Sequence, residues 1–461
     1  MSSSPLFPSS LPSRSSWQGA ARLVARWLDR RERIDVVLAA APAGFSVAER
    51  ARCQHLVLGV VRHYGRIEAG LAKLVAHPPR FTTRAVLYLA GFELIEAAGE
   101  DGSSDRVPKI VHHAVTQAKE LSSAAESRMV NAVVRRLAEL MVRLPPAPNA
   151  PAEELAAFFS HPVWLIKNWL AQFGPTSTRQ LLEWNQRPAP VFARWRTPST
   201  EDDPQPLAKG ERHGLPEFLR PTRWPGFLEV QPGHWGEVEP LLKAGQLYLQ
   251  DPAGRIPVEL LAPRADENVL DLCAAPGGKS LLIADRMAAE RPAAATAPAG
   301  RLVAVDLPGP RIARLKENLA RVEKPEVALV QASLLENLPQ ILREHRLPVR
   351  YPAILLDAPC SNTGVMRHRV DVKWRLQPGD LKKHPQQQLA LLLAATRLCE
   401  PGGRLVYSTC SLDAEENEHV VQGFLASPAG RSFALEQSVL CYPWTSGHDG
   451  GAAFLLRQLR H

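Results

Sequence analysis

Two of the six cysteines stand where chemistry is expected. Cys410 lies in Tyr407-Ser408-Thr409-Cys410-Ser411, at the end of the hydrophobic run Arg404-Leu405-Val406-Tyr407. A helix is predicted just beyond it, opened by Asp413 with Glu416 three residues on. Cys360 closes a second such run, Ala353-Ile354-Leu355-Leu356-Asp357-Ala358-Pro359-Cys360. Both thiols therefore sit at the carboxyl ends of predicted strands, where open α/β sheets hold ligands. A thiolate is a strong nucleophile, but free cysteine has a pKa near ~8.5 and is mostly protonated at neutral pH. For either cysteine alone, a small buried hydrophobe is the simpler reading. Two thiols at strand ends beside a nucleotide-type site favour chemistry instead.

That site is read from Asp271 to Lys279, a strand-to-helix loop containing Cys273-Ala274-Ala275-Pro276-Gly277-Gly278-Lys279. Glycines let backbone approach a ligand, and the following helix N-terminus favours negative charge. The spacing is neither GxGxxG nor GxxxxGK[ST], which weighs against dinucleotide and triphosphate sites. About thirty residues later Val303-Ala304-Val305-Asp306 ends a strand in a carboxylate, the usual acceptor for a ribose diol. Together they describe a site for an adenosine-containing small molecule. Met366-Arg367-His368-Arg369-Val370-Asp371-Val372-Lys373-Trp374 interleaves cations with an aromatic. Arg367, Arg369, Lys373 and Trp374 suit a phosphate backbone and a stacked base, with a solvated loop the equal alternative. No Cys/His cluster has zinc-like spacing, so no metal is expected.

The elements that must position these residues follow from pattern. Hydrophobic content of 45% and charged content of 22% are ordinary for a globular chain, and 461 residues allow several domains. Residues 1–16, Ser/Pro-rich with one arginine and no acid, read as a disordered tail. Without an apolar signal core or membrane span, a cytoplasmic protein is expected. Residues 17–144 show helical periodicity throughout and read as a helical bundle. Residues 1–144 carry 20 Lys/Arg against 13 Asp/Glu, +7 of the chain's net +8, which suggests a polyanion partner. Proline-dense residues 145–151 read as a linker. Residues 152–266 mix short helices with strands at Val191–Arg196 and Gly226–Val230, a small α+β connector. From residue 267 to 461, strands at Asn268–Leu272, Arg301–Leu307, Val327–Gln331, Ala353–Leu356 and Gly403–Tyr407 alternate with helices. This is a parallel, doubly wound α/β domain, closed by a possible antiparallel strand over Ala452–Leu459.

Three segments, Leu270–Lys279, Asp357-Ala358-Pro359-Cys360-Ser361 and Ser408-Thr409-Cys410-Ser411, together resemble the RNA (cytosine-5)-methyltransferase family, in its RsmB/Sun (NSUN-related) branch. The N-terminal third is similar to the NusB-type helical RNA-binding domain through Arg62-His63-Tyr64-Gly65-Arg66, Ala114–Lys119 and Val130–Arg136. The resemblance implies a Rossmann-like catalytic domain that uses S-adenosylmethionine (SAM) to methylate a cytidine in small-subunit ribosomal RNA. It implies that Cys273–Lys279 lines the methionine end of SAM, that Asp306 holds the ribose, and that Asp357 lies beside cofactor and cytosine. In such a family Cys410 is the nucleophile and Cys360 helps release the product. Gln331-Ala332-Ser333 stands where the family usually has Gly-Asp, leaving Ser333 as a weaker adenine-side contact. Arg369-Val370-Asp371 replaces His-Pro-Asp, and His448–Ala453 lacks an aromatic pair. A monomer is expected. A non-catalytic RNA-binding assembly factor with this fold, or an enzyme for transfer RNA, remain the alternatives.

Overall fold

Apolar side chains at helical spacing around arginines build the first helix. In the computed structural model, which describes residues 15–99, 103–196, 215–290 and 299–460, Ser15 caps α1 (Ser16–Arg30) by accepting from Gln18 N. Trp17, Leu23, Val24, Trp27 and Leu28 are buried along its inner face. There follow α2 (Ile34–Ala39), α3 (Val47–Leu71), α4 (Phe81–Ala98), α5 (Ser103–Leu121), α6 (Ala124–Met141), α7 (Ala152–Phe159) and α8 (Val163–Gln186). The helices expected over Ser46–Gly65 and Arg66–Val75 are one continuous α3. Gly65 does not break it: the glycine lets Trp374 and Ser160 approach, and a Cβ there would lie 2.8 Å from the indole. In α8 the expected break survives as a kink at Gly174, where φ is 73°. The expected linker does not end this unit. Leu155 and Phe159 of α7 are buried, and Ser160 Oγ accepts from Gly65 N at 2.7 Å, so the helical unit continues to Pro188.

Residues Met366–Leu376 also belong to the helical unit. This corrects the view of the basic segment as a nucleic-acid surface for two of its residues. Lys373 is 1% exposed and donates to Arg62 O at 2.9 Å. Trp374 donates from Nε1 to Val61 O at 2.8 Å and meets Tyr64 edge-on. Arg367 directs its guanidinium to the carbonyls of Arg187 and Pro188, while Arg369 is exposed. Val370 and Val372, both buried, supply the apolar reason for insertion.

The second unit begins at Ala189. β1 (Val191–Trp195), β2 (Leu219–Pro221), β3 (Phe227–Val230) and β4 (Leu247–Leu249) form an antiparallel sheet in the order β2-β3-β1-β4. Then come β5 (Val269–Leu272), β6 (Arg301–Asp306), β7 (Glu326–Gln331), β8 (Tyr351–Asp357), β9 (Cys399–Thr409), β10 (Phe433–Cys441) and β11 (Gly451–Gln458). Their order is β10-β11-β9-β8-β5-β6-β7. β5 to β9 pair in parallel, and β11 runs antiparallel to β9, as expected for the last strand. β10 was not expected. Most of its side chains are exposed, so no period-two signal marks it. The winding reverses between β5 and β8, the position at which such sheets open a crevice. Four consecutive residues of β5 and most of β8 are buried, as central parallel strands require. The tail residues 1–14 and insert residues 291–298 lie outside the described residues. Among those described, no helix is long and apolar enough to cross a membrane.

Burial, with the nearby Arg62 charge, holds the Lys373 ammonium well below its ordinary pKa. The unfolded chain then binds the extra proton, so this group's contribution to stability rises with pH between its folded pKa and about 10.4. Lys373→Met should remove that contribution. In urea unfolding, the stability of Lys373→Met relative to wild type should be lower at pH 9 than at pH 7; a pH-independent difference would contradict a buried, titrating lysine.

Candidate active site

The loop after β5 is held by backbone rather than by its side chains. Ala274 N donates to Val305 O at 3.1 Å, and Gly277 N to Ala274 O at 2.7 Å. Gly277 has φ of 106°, a region that disfavours any Cβ, and helix Gly278–Ala289 starts immediately after it. Asp306 at the end of β6 pins the same loop, accepting from Ala275 N and from Leu307 N, each at 2.7 Å. Ser333 closes a turn past β7 by accepting from Leu335 N at 3.2 Å. Cys273, Ala274, Ala275, Pro276, Gly278 and Lys279 line a cleft of about 260 Å³ together with Asp271, Asp357 and Cys410. Asp306 and Ser333 are not among the residues that line it.

The electrostatics of the cleft are set by burial. Asp271 is fully buried; its Oδ2 accepts from Ser280 Oγ at 2.5 Å, and its Oδ1 has no partner among the described residues. Burial pushes its carboxyl up to about 7. An orphaned buried carboxylate oxygen beside a glycine turn fits a polar ligand group better than a closed core. Asp357 accepts from Lys279 Nζ at 2.7 Å and from Ser408 Oγ at 2.9 Å. Burial works against the Lys279 charge, but the charge and hydrogen bond of Asp357 outweigh it and raise the lysine's pKa. The third thiol, Cys273, is pushed up to about 12 by burial and by Asp306, Asp357 and Asp271, so it stays protonated.

Cys360 and Cys410 Sγ atoms lie 3.3 Å apart, and both are free thiols. The hydrogen bond to Cys410 holds the Cys360 thiol well above its ordinary pKa; burial and the charges of Cys410 and Glu416 add to this. Cys410 Sγ donates to Asn362 Oδ1 at 3.4 Å, and Asn362 Nδ2 donates to Cys360 O at 2.7 Å. Below the thiols lies a buried polar layer. Asp413 Oδ2 accepts from Thr363 Oγ1 at 2.7 Å and from Ser411 Oγ at 3.2 Å. Burial raises Asp413 to about 6. The capped helix expected at Asp413 is therefore corrected. Its side chain makes no cap bond, a 3-10 turn spans Ala414–Glu416, and the helix proper is Glu418–Ala426. The hydroxyls of the two thiol loops compete successfully for both carboxylates. Asn362, Thr363, Gln388, Glu416 and Asn417 were missed as site residues. The spacing of Asp413 and Glu416 was visible, but it reads as a cap.

A nucleotide-type loop, a carboxylate after the next strand and a crevice at the switch point define a Rossmann-like methyltransferase fold. The crystal structure of PH0851 shares it, with a TM-score of 0.71 over 97% of this chain and 100% of that chain at 22% identity. A methyltransferase homolog protein from Pyrococcus horikoshii gives 0.52 over 67% of this chain and 99% of its own at 24%. Sequence is more specific. Residues 258–438 match the family model described as 16S rRNA methyltransferase RsmB/F, and residues 15–139 match the NusB family. The ribosomal RNA small subunit methyltransferase B of Sodalis glossinidius (strain morsitans) is 32% identical over 443 residues, 94% of this chain and 95% of that one. Its counterpart in Erwinia tasmaniensis is 28% identical over 440 residues, 94% and 96% of the two chains. The chain belongs to the RsmB/F methyltransferase family, with a NusB-type helical region ahead of the catalytic fold.

Gly277→Ala tests the loop. The new Cβ would meet Leu315 Cδ1 at 2.9 Å as well as an unfavourable φ. Urea unfolding should show a loss of about 2 kcal/mol. Gly309→Ala, where nothing lies within 4 Å, should change stability by less than about 0.5 kcal/mol. Equal effects would contradict the assigned strain.

Proposed function

We propose that this protein transfers the methyl group of SAM to carbon 5 of a cytidine in small-subunit ribosomal RNA, through a covalent bond between Cys410 and the ring. The observation that carries the reading is the pair of sulfurs 3.3 Å apart, of which Cys410 lines the cleft together with Asp357. Methylation of an amino group would leave two such thiols idle. The names of the relatives point to the same RNA, and the basic excess of residues 1–144 suits a polyanion.

When bound, SAM supplies a methyl group on a sulfonium, an electrophile for a carbon nucleophile. Asp271, with its unpaired oxygen, and the Cys273–Lys279 loop would hold it; Asp306 is offered to the ribose and Ser333 to the adenine side. The chain's own residues create the nucleophile. Cys410 loses its thiol proton to solvent and its Sγ adds to carbon 6 of cytosine; the carbon 5–carbon 6 π pair shifts toward the ring nitrogen that is protonated, which makes carbon 5 enamine-like. The Lys279–Asp357 pair places a proton source at the cleft wall for the ring nitrogen. After methylation, carbon 5 must lose its proton before the carbon–sulfur bond can break. Once Cys410 is a neutral thioether its charge no longer opposes ionisation of Cys360, which is thereby freed to assist that loss.

A scaffold role draws on Ser333, which is committed to a local turn and adds no carboxylate to the cleft. Calorimetry separates the two, since the enzyme must bind SAM. The thiol assignment is tested by substitution. Cys410→Ala should transfer no methyl to RNA and form no adduct, whereas Cys360→Ala should accumulate a protein–RNA adduct that survives a denaturing gel. Equal adduct in both variants, or none in either, would overturn the assignment.

A further inference from the structure

Glu416 is wholly buried and its hydrogen bonds run to both thiol loops. Oε2 accepts from Ser361 N at 2.9 Å, directly after Cys360, and Oε1 accepts from Ser411 Oγ at 2.8 Å, directly after Cys410. Gln388 Nε2 donates to Glu416 Oε2 at 2.8 Å and also to Pro359 O at 3.0 Å, so Cys360 is held on both sides. The next residue repeats the device on the other loop. Asn417 Oδ1 accepts from Thr409 Oγ1 at 2.6 Å, and its Nδ2 donates to Ser411 O at 3.0 Å, flanking Cys410. Glu416 is itself fixed, because its carbonyl accepts from Tyr407 in β9 at 2.6 Å.

We propose that Glu416, seconded by Asn417, is the positioning residue of the reaction, one carboxylate that sets the spatial register of the two sulfurs. A buried carboxylate is costly to desolvate, so its retention requires that its hydrogen bonds be made. Here they are made to the residues next to the two thiols, and Cys410 is left to line the cleft. The Glu416 charge also discourages ionisation of Cys360. The inference rests on the reading of Cys410 and Cys360 as the working thiols.

The test uses the full chain as wild type, Glu416→Ala, Glu416→Gln and Asn417→Ala, with thermal unfolding as a check of folding. Each is treated with diamide, which takes up two electrons and two protons as Cys360 and Cys410 join in a disulfide. Mass spectrometry follows the linked peptides. Linkage should slow at least about tenfold in Glu416→Ala, and kcat for RNA methylation should fall with KM for RNA changed less than about twofold. Glu416→Gln can turn its oxygen to Ser361 N and its amide to Ser411, so linkage should stay within about threefold of wild type. A folded Glu416→Ala that links at the wild-type rate overturns the proposal. If Glu416→Ala does not fold, Asn417→Ala decides in the same way, by slowed or unchanged linkage. Slowed linkage in the variants, together with a wild type that methylates no RNA, would sink the proposed reaction and leave the positioning role standing.

Discussion

The parallel register of β8 against β9 is the constraint on which the site depends. Asp357 pairs with Ser408 across these strands, and Ser408 donates to the Asp357 carboxylate. Each chain then leaves the sheet at the same level, so that Cys360 and Cys410 emerge together with sulfurs 3.3 Å apart. A slip of one residue would turn every side chain of one strand to the opposite face and separate the thiols. The register is secured by the buried faces of both strands, Ile354 and Leu356 with Leu405 and Tyr407 on one side, Ala353 and Leu355 with Val406 on the other. Core packing and thiol placement are thus one problem in this domain.

The second theme is the handling of buried charge. Asp271, Asp413 and Glu416 lie out of solvent within one region of the catalytic unit. Asp413 and Glu416 are each satisfied by hydroxyls or amides of the thiol loops, whereas Asp271 keeps one oxygen without a protein partner. Hydrogen-bonded buried carboxylates rigidify their surroundings, and an unpartnered carboxylate oxygen on the cleft lining is available to a polar ligand. The division matches the proposed roles, a rigid base under the sulfurs and an open acceptor toward the cofactor.

Much of this was legible in the sequence because parallel strands read as short apolar runs and glycine marks a close backbone turn. β5, β6, β8 and β9, the loop to Lys279, and the thiols at Cys360 and Cys410 were all found in that way. β10 was not, because an edge strand with exposed side chains has no alternation to read. Lys373 and Trp374 were misjudged because local composition cannot distinguish a basic surface from a segment whose valines drive it into a helical core. Glu416 was read as a helix cap, since the spacing from Asp413 is the same for both uses. Only the partners Ser361 and Gln388, from distant parts of the chain, separate the two.

The measurement that bears most directly on the account uses RNA in which cytidine carries fluorine at carbon 5. After addition of Cys410 and transfer of the methyl group, carbon 5 holds no proton to remove, and the carbon–sulfur bond persists. Digestion and mass spectrometry of the trapped protein should find a methylated fluorocytosine adduct on the peptide containing Cys410. An adduct on the Cys360 peptide, or none in the presence of SAM and substrate RNA, would contradict the account.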